Sequence, residues 1–125
     1  MLKSKWSLKK PLYLRKGSKN YDKYDNQLKK QGFSDTETWS LDCVIAEFIL
    51  PRLIRFKELN NGFPGMEMNE ESWNKALHEM IFAFDWVLNQ ETTYKDLSFD
   101  MTIEFGKRYE NGMLLFAKWF GNLWW

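Results

Sequence analysis

The sequence predicts an all-α protein: a small bundle of three main helices preceded by an irregular basic arm. Three observations point there. Beyond residue 33, apolar residues recur at three- and four-residue steps in three long segments, and nowhere do they alternate as in strands. Each of these segments opens near a helix-capping residue and closes near Asn or Gly. The composition, 44% hydrophobic with 7 Trp, 5 Tyr and 10 Phe in 125 residues, supplies one core of large planar side chains. That length suits one compact domain and not two. The expected division is an arm over 1–33 and a single helical domain over 34–125.

The arm has no sustained helical period. Pro11, Gly17, Asn20 and Gly32 punctuate it, and only the stretch near Tyr21–Lys30 reads as a short helix. Order begins at Ser34-Asp35-Thr36-Glu37, a capping-box pattern with Thr36 and Thr38 as alternative caps. It opens a first helix over about 36–60. Leu41, Ile45, Phe48, Ile49, Leu53 and Phe56 fall on one face of it. Trp39, Cys43, Ala46, Leu50 and Ile54 cover a neighbouring face, and so broad an apolar circumference predicts a central place in the domain. Pro51 predicts a kink, because it removes the bond to the Glu47 carbonyl. The second helix, over about 69–90, starts at Asn69 with Glu70 and Glu71 near the positive end of its dipole. Trp73, Leu77, Met80, Ile81, Phe84 and Leu88 form its stripe. The third, over about 98–121, presents Phe105, Tyr109, Met113, Phe116 and Phe120 on one face. Gly106 and Gly112 each cost it about 1 kcal/mol against Ala, which implies a break or the close approach of another backbone.

Charge is segregated. Residues 1–31 hold ten Lys and Arg against Asp22 and Asp25, so a basic arm precedes an acidic body, although the whole chain balances at +1. Such an arm either folds back on an acidic body or meets phosphate. Trp6, Tyr13, Tyr21 and Tyr24 offer flat faces to bases, and Lys9, Lys10, Arg15 and Lys16 offer cations to phosphate. This pairing suits a nucleotide or single-stranded nucleic acid. The alternative for any one of these aromatics is a packing anchor.

Catalytic chemistry finds little support. One Cys and one His exclude a disulfide framework and a zinc finger. His78 has no partnered nucleophile in view, Cys43 has no cationic neighbour in sequence, and Lys75 stands where a Glu-x-x-His metal motif needs Glu. Asp42, Glu47, Glu79 and Asp85 lie near apolar stripes without a pattern that names a metal. No phosphate loop, nucleophile elbow or metalloprotease motif occurs, so neither a cofactor nor a metal is expected. Trp39, Ser40 and Asp42 read as a structural motif, a buried capping and ion-pair cluster, with recognition of a polar ligand as the other possibility. The run containing Phe116, Trp119, Phe120, Trp124 and Trp125 is too aromatic to stand wholly in water. Its uses are a homo-oligomeric seam, interfacial membrane docking, or core. Neither a secretory signal nor a membrane span is evident, which leads to the expectation of a cytoplasmic protein.

Gly32-Phe33-Ser34-Asp35-Thr36-Glu37-Thr38-Trp39-Ser40-Leu41-Asp42, with Ile45-Ala46-Glu47-Phe48-Ile49-Leu50-Pro51-Arg52-Leu53 after it, resembles a family of small phage-encoded and phage-derived proteins of unassigned function. Glu110-Asn111-Gly112-Met113-Leu114-Leu115-Phe116-Ala117-Lys118-Trp119-Phe120 resembles that family's closing helix. These stretches cover under half the chain and exclude the arm. The resemblance implies a phage accessory protein in the host cytoplasm that works by binding. It would sequester a nucleotide-like defence signal or occlude a host or virion protein; beside the resemblance, the basic arm and the aromatic C-terminus lead to the expectation of a homo-oligomer.

Overall fold

The computed structural model describes residues 20–59, 62–65 and 67–124, and every regular element among them is helical. Helix α1 spans Tyr21–Gln31 and a 3-10 turn spans Asp35–Thr38. Helices α2, α3 and α4 span Leu41–Leu59, Glu70–Leu88 and Phe99–Trp119, and a last 3-10 turn spans Phe120–Asn122.

Local chemistry sets these boundaries. Gly32 ends α1 in the left-handed conformation (φ 84°), which glycine adopts without a Cβ penalty, and its N–H donates to the Leu28 carbonyl at 3.0 Å. The Ser34 N–H donates to the Glu37 carboxylate at 2.7 Å, the back-reaching half of the expected capping box. That box opens the 3-10 turn, whereas the sequence pattern assigned it to the long helix. The turn is clamped to α1 by Gln27, whose amide donates to the Asp35 carboxylate at 2.9 Å and accepts from the Asp35 N–H at 2.8 Å. The α-helix proper starts only after Ser40. Asn69 caps α3 by accepting from the Ser72 N–H at 2.8 Å, and Ser98 caps α4 by accepting from the Met101 N–H at 3.3 Å. Helix α2 runs on through Pro51, whose ring is buried.

Of the three long helices, only neighbours in sequence pack directly on each other. Helix α3 lies in the middle and packs on α2 at one side and α4 at the other, while no Cα of α2 comes within 8 Å of α4 among the described residues. The core joins Ala46 and Leu53 of α2 to Trp73, Ala76, Leu77, Met80 and Phe84 of α3, with Met113, Phe116 and Trp119 of α4 packed against it. The central place thus belongs to α3, which corrects the expectation for α2. Broad apolarity in α2 marks a helix with one face in the core and another left uncovered: Leu41, Ile45 and Phe48 are exposed.

Helices α3 and α4 come close together at Gly112. A Cβ there would overlap the Glu79 carbonyl oxygen and lie 2.8 Å from the Ala83 Cβ. The close approach predicted from the two glycines of α4 is therefore real at Gly112. Around Gly106 nothing lies within 4 Å of a built Cβ.

Candidate functional site

The densest polar chemistry lies between the C-terminal half of α3, the 89–98 connection and the first half of α4. Phe82 and Trp86, one turn apart on α3, meet Tyr94 from the connection and Phe105 from α4. All six ring pairs have centroids 5.0–6.4 Å apart. Tyr94 donates its hydroxyl to Asp85 Oδ2 at 2.6 Å, and the other carboxylate oxygen accepts from the Asn89 amide at 2.7 Å. Burial, then the hydrogen bond and charge of Asp85, push the Tyr94 phenol up to about 12, with Arg108 pulling weakly the other way. Arg108 stacks on Phe82 with its guanidinium carbon 3.9 Å from the ring centroid, and its Nε donates to Glu79 Oε2 at 2.6 Å.

The four rings are in mutual contact, and Tyr94, Asp85, Arg108 and Glu79 bond to neighbours inside the cluster. It is a second small core that locks the 89–98 connection and the start of α4 onto α3. Neither Phe82 nor Trp86 stands among the expected residues, because the main stripe of α3 lies on another face. Their spacing of four, followed by a Tyr in the connection, was the available signal.

His78 is exposed. The Cys43 thiol is pushed up by burial and by the neighbouring Asp42 and Glu47, the reverse of an activated nucleophile. No group of three or more His, Cys, Asp or Glu able to hold a metal occurs among the described residues, and no described helix is long and apolar enough to cross a membrane.

The most unusual surface is the outer face of α2. Leu41, Ile45, Phe48, Arg52, Arg55 and Leu59 follow one another at steps of four and three, so they share one face, and all six are exposed. Its first half is apolar. In its second half the Arg52 guanidinium lies 3.9 Å from the Phe48 ring centroid and donates to the Phe48 carbonyl at 2.8 Å, while Arg55 bridges Glu58 at 3.3 Å in the open. Trp39 extends the apolar half at 61% exposure while its ring meets Tyr24 edge-on at 5.9 Å.

Several expected site residues are placed differently. Trp6, Lys9, Lys10, Tyr13, Arg15 and Lys16 lie outside the described residues, as does Trp125. Tyr24 is 6% exposed and packed on Trp39, so its ring is an anchor and not a platform for a base. Tyr21 remains partly exposed. Trp39, Ser40 and Asp42 form no buried cluster: all three are exposed at the start of α2. The buried polar pair is instead Ser34 and Thr36, whose hydroxyls bond each other. The C-terminal aromatics divide. Phe116 meets Phe84 edge-on at 5.0 Å and Trp119 meets Trp73 at 5.9 Å, whereas Phe120 and Trp124 are exposed.

What fold and surface define together is an all-α protein with an apolar and basic outer face. Compared with known proteins, the chain matches no family model, no curated protein and no solved structure.

Proposed function

We propose that this is a non-enzymatic interaction protein that docks a helix of another polypeptide on the outer face of α2, acting as a phage accessory factor against a host or virion protein. The observation that supports it is the sequence of that face. Three apolar side chains spaced as a helix-in-groove partner needs them run directly into Arg52 and Arg55, and the arginines carry only exposed local partners. Exposed ion pairs such as Arg55–Glu58 contribute little and exchange readily. The partner that fits is an amphipathic helix whose apolar stripe is flanked by carboxylates.

A labelled synthetic amphipathic helix with Glu flanks, compared with its Lys-flanked counterpart, tests this by fluorescence anisotropy. The full chain should bind the acidic peptide, more weakly as salt rises, and the Ile45→Ser/Phe48→Ser variant should lose binding while keeping its helical circular dichroism. Equal binding of both peptides, or binding unchanged in the variant, would contradict the reading.

The charge segregation supports a second reading, in which the arm over 1–31 binds an anionic ligand such as a nucleotide defence signal or single-stranded nucleic acid. Titration with a fluorescent nucleoside triphosphate and a short single-stranded DNA checks it. Affinity should fall steeply with salt, and Lys9→Ala/Lys10→Ala should weaken it several-fold.

A further inference from the structure

Gly112 is accounted for by the crossing of α3 and α4, but Gly106 is not: open space lies where its side chain would be. The surface around it has a symmetry of its own. On the outer face of α4, Ile103 and Leu114 are both exposed, and they stand equally far from the midpoint between Arg108 and Tyr109. Lys107 and Glu110 stand equally far from that same midpoint. Both are exposed, and neither takes part in the ion pairs seen among the described residues. Asp100 and Lys118 are placed within one residue of the same relation. Arg108 itself turns the other way, held to Glu79 and stacked on Phe82, so it puts no charge on this face.

A face on which Ile103 reflects onto Leu114 and Lys107 onto Glu110 fits a second copy of itself. We infer that α4 pairs with α4 of a second copy, antiparallel about a two-fold axis at Arg108 and Tyr109. An isologous contact makes every pairing twice. Ile103 of each copy meets Leu114 of the other, Lys107 meets Glu110, and Asp100 comes beside Lys118. Parallel pairing would set Lys107 against Lys107 and Glu110 against Glu110, which the charges disfavour. Gly106 then has a reason. Next to the axis, a residue without a side chain lets two helices approach closely, as Gly112 does inside the chain. The dimer converts an open edge of the molecule into an internal junction and leaves the outer face of α2 free on both copies, so it stands or falls separately from the docking proposed there.

Sedimentation equilibrium on the full chain tests the pairing. The native chain should form a dimer. Lys107→Glu, which sets acid against acid twice, should weaken it at least about tenfold, and Lys107→Glu/Glu110→Lys should restore it to within about threefold of native. Gly106→Leu should raise the helix content of the monomer, as leucine is the better helix former, and still weaken the dimer. A native chain that stays monomeric overturns the inference, and so does a dimer indifferent to Lys107→Glu and Gly106→Leu. If charge reversal weakens the dimer and the double swap fails to restore it, the antiparallel register is wrong.

Discussion

At the residue scale, Gly112 and Tyr94 make the sharpest demands. Because a Cβ at 112 would strike backbone of α3, Gly112→Ala has no flexible neighbour to displace. It should destabilise the fold by about 1–3 kcal/mol despite alanine's better helix propensity, as overpacking does. Chemical denaturation measures this, and a stabilised variant would contradict the close packing of α3 on α4. Tyr94 makes a prediction about pH. Its phenol ionises near 10 in an unfolded chain and at about 12 in the fold, so the folded state holds the proton more tightly. The stability this confers is complete below about pH 10 and disappears as pH rises from there to about 12. The stability difference between the native chain and Tyr94→Phe should shrink over that window, since groups common to both cancel. These two residues also show what a single sequence reveals. A glycine costly to a helix announced a close approach, because only a neighbouring backbone justifies it. The Tyr94–Asp85 bond joins residues nine apart across a turn, and no periodic pattern marks it.

At the element scale, helix periodicity located the long helices to within a few residues, but it ranked their roles wrongly. Helix α2 looked central because it is apolar over two stripes, whereas α3 is central because Trp73, Leu77 and Met80 lie in the core that it shares with α2 and α4 while Phe82, Ala83 and Trp86 lie buried on another side. A stripe that will be covered and one that will stay open have the same hydropathy, so only packing separates them. The C-terminal aromatics make the same point. Trp73, which Trp119 meets edge-on, is 3% exposed, and Trp73→Ala should cost about 3–5 kcal/mol. Phe120→Ala should cost less than about 1 kcal/mol, because most of that ring already stands in water. Thermal unfolding of the two variants side by side checks this, and similar losses would show that the closing turn is core. Asn69→Ala, which removes the cap of α3, should cost about 1 kcal/mol because its side chain satisfies the Ser72 N–H.

At the scale of the whole molecule, packing between sequence neighbours alone covers the middle helix twice and the outer helices once. The exposed apolar residues on the outer faces of α2 and α4 follow from that arithmetic, and those faces are where we propose that the molecule meets polypeptide. The sequence announced surplus aromatic and apolar surface but assigned it to the C-terminal run, because a cluster contiguous in sequence is easier to see than a stripe that surfaces only once per turn. Native mass spectrometry of the gently purified full chain tests this account most directly. It predicts species at twice the 15.1 kDa chain mass, or the chain bound to a second polypeptide, that survive mild activation. A lone 15.1 kDa chain carrying nothing, or carrying only a small anion that high salt removes, would contradict it.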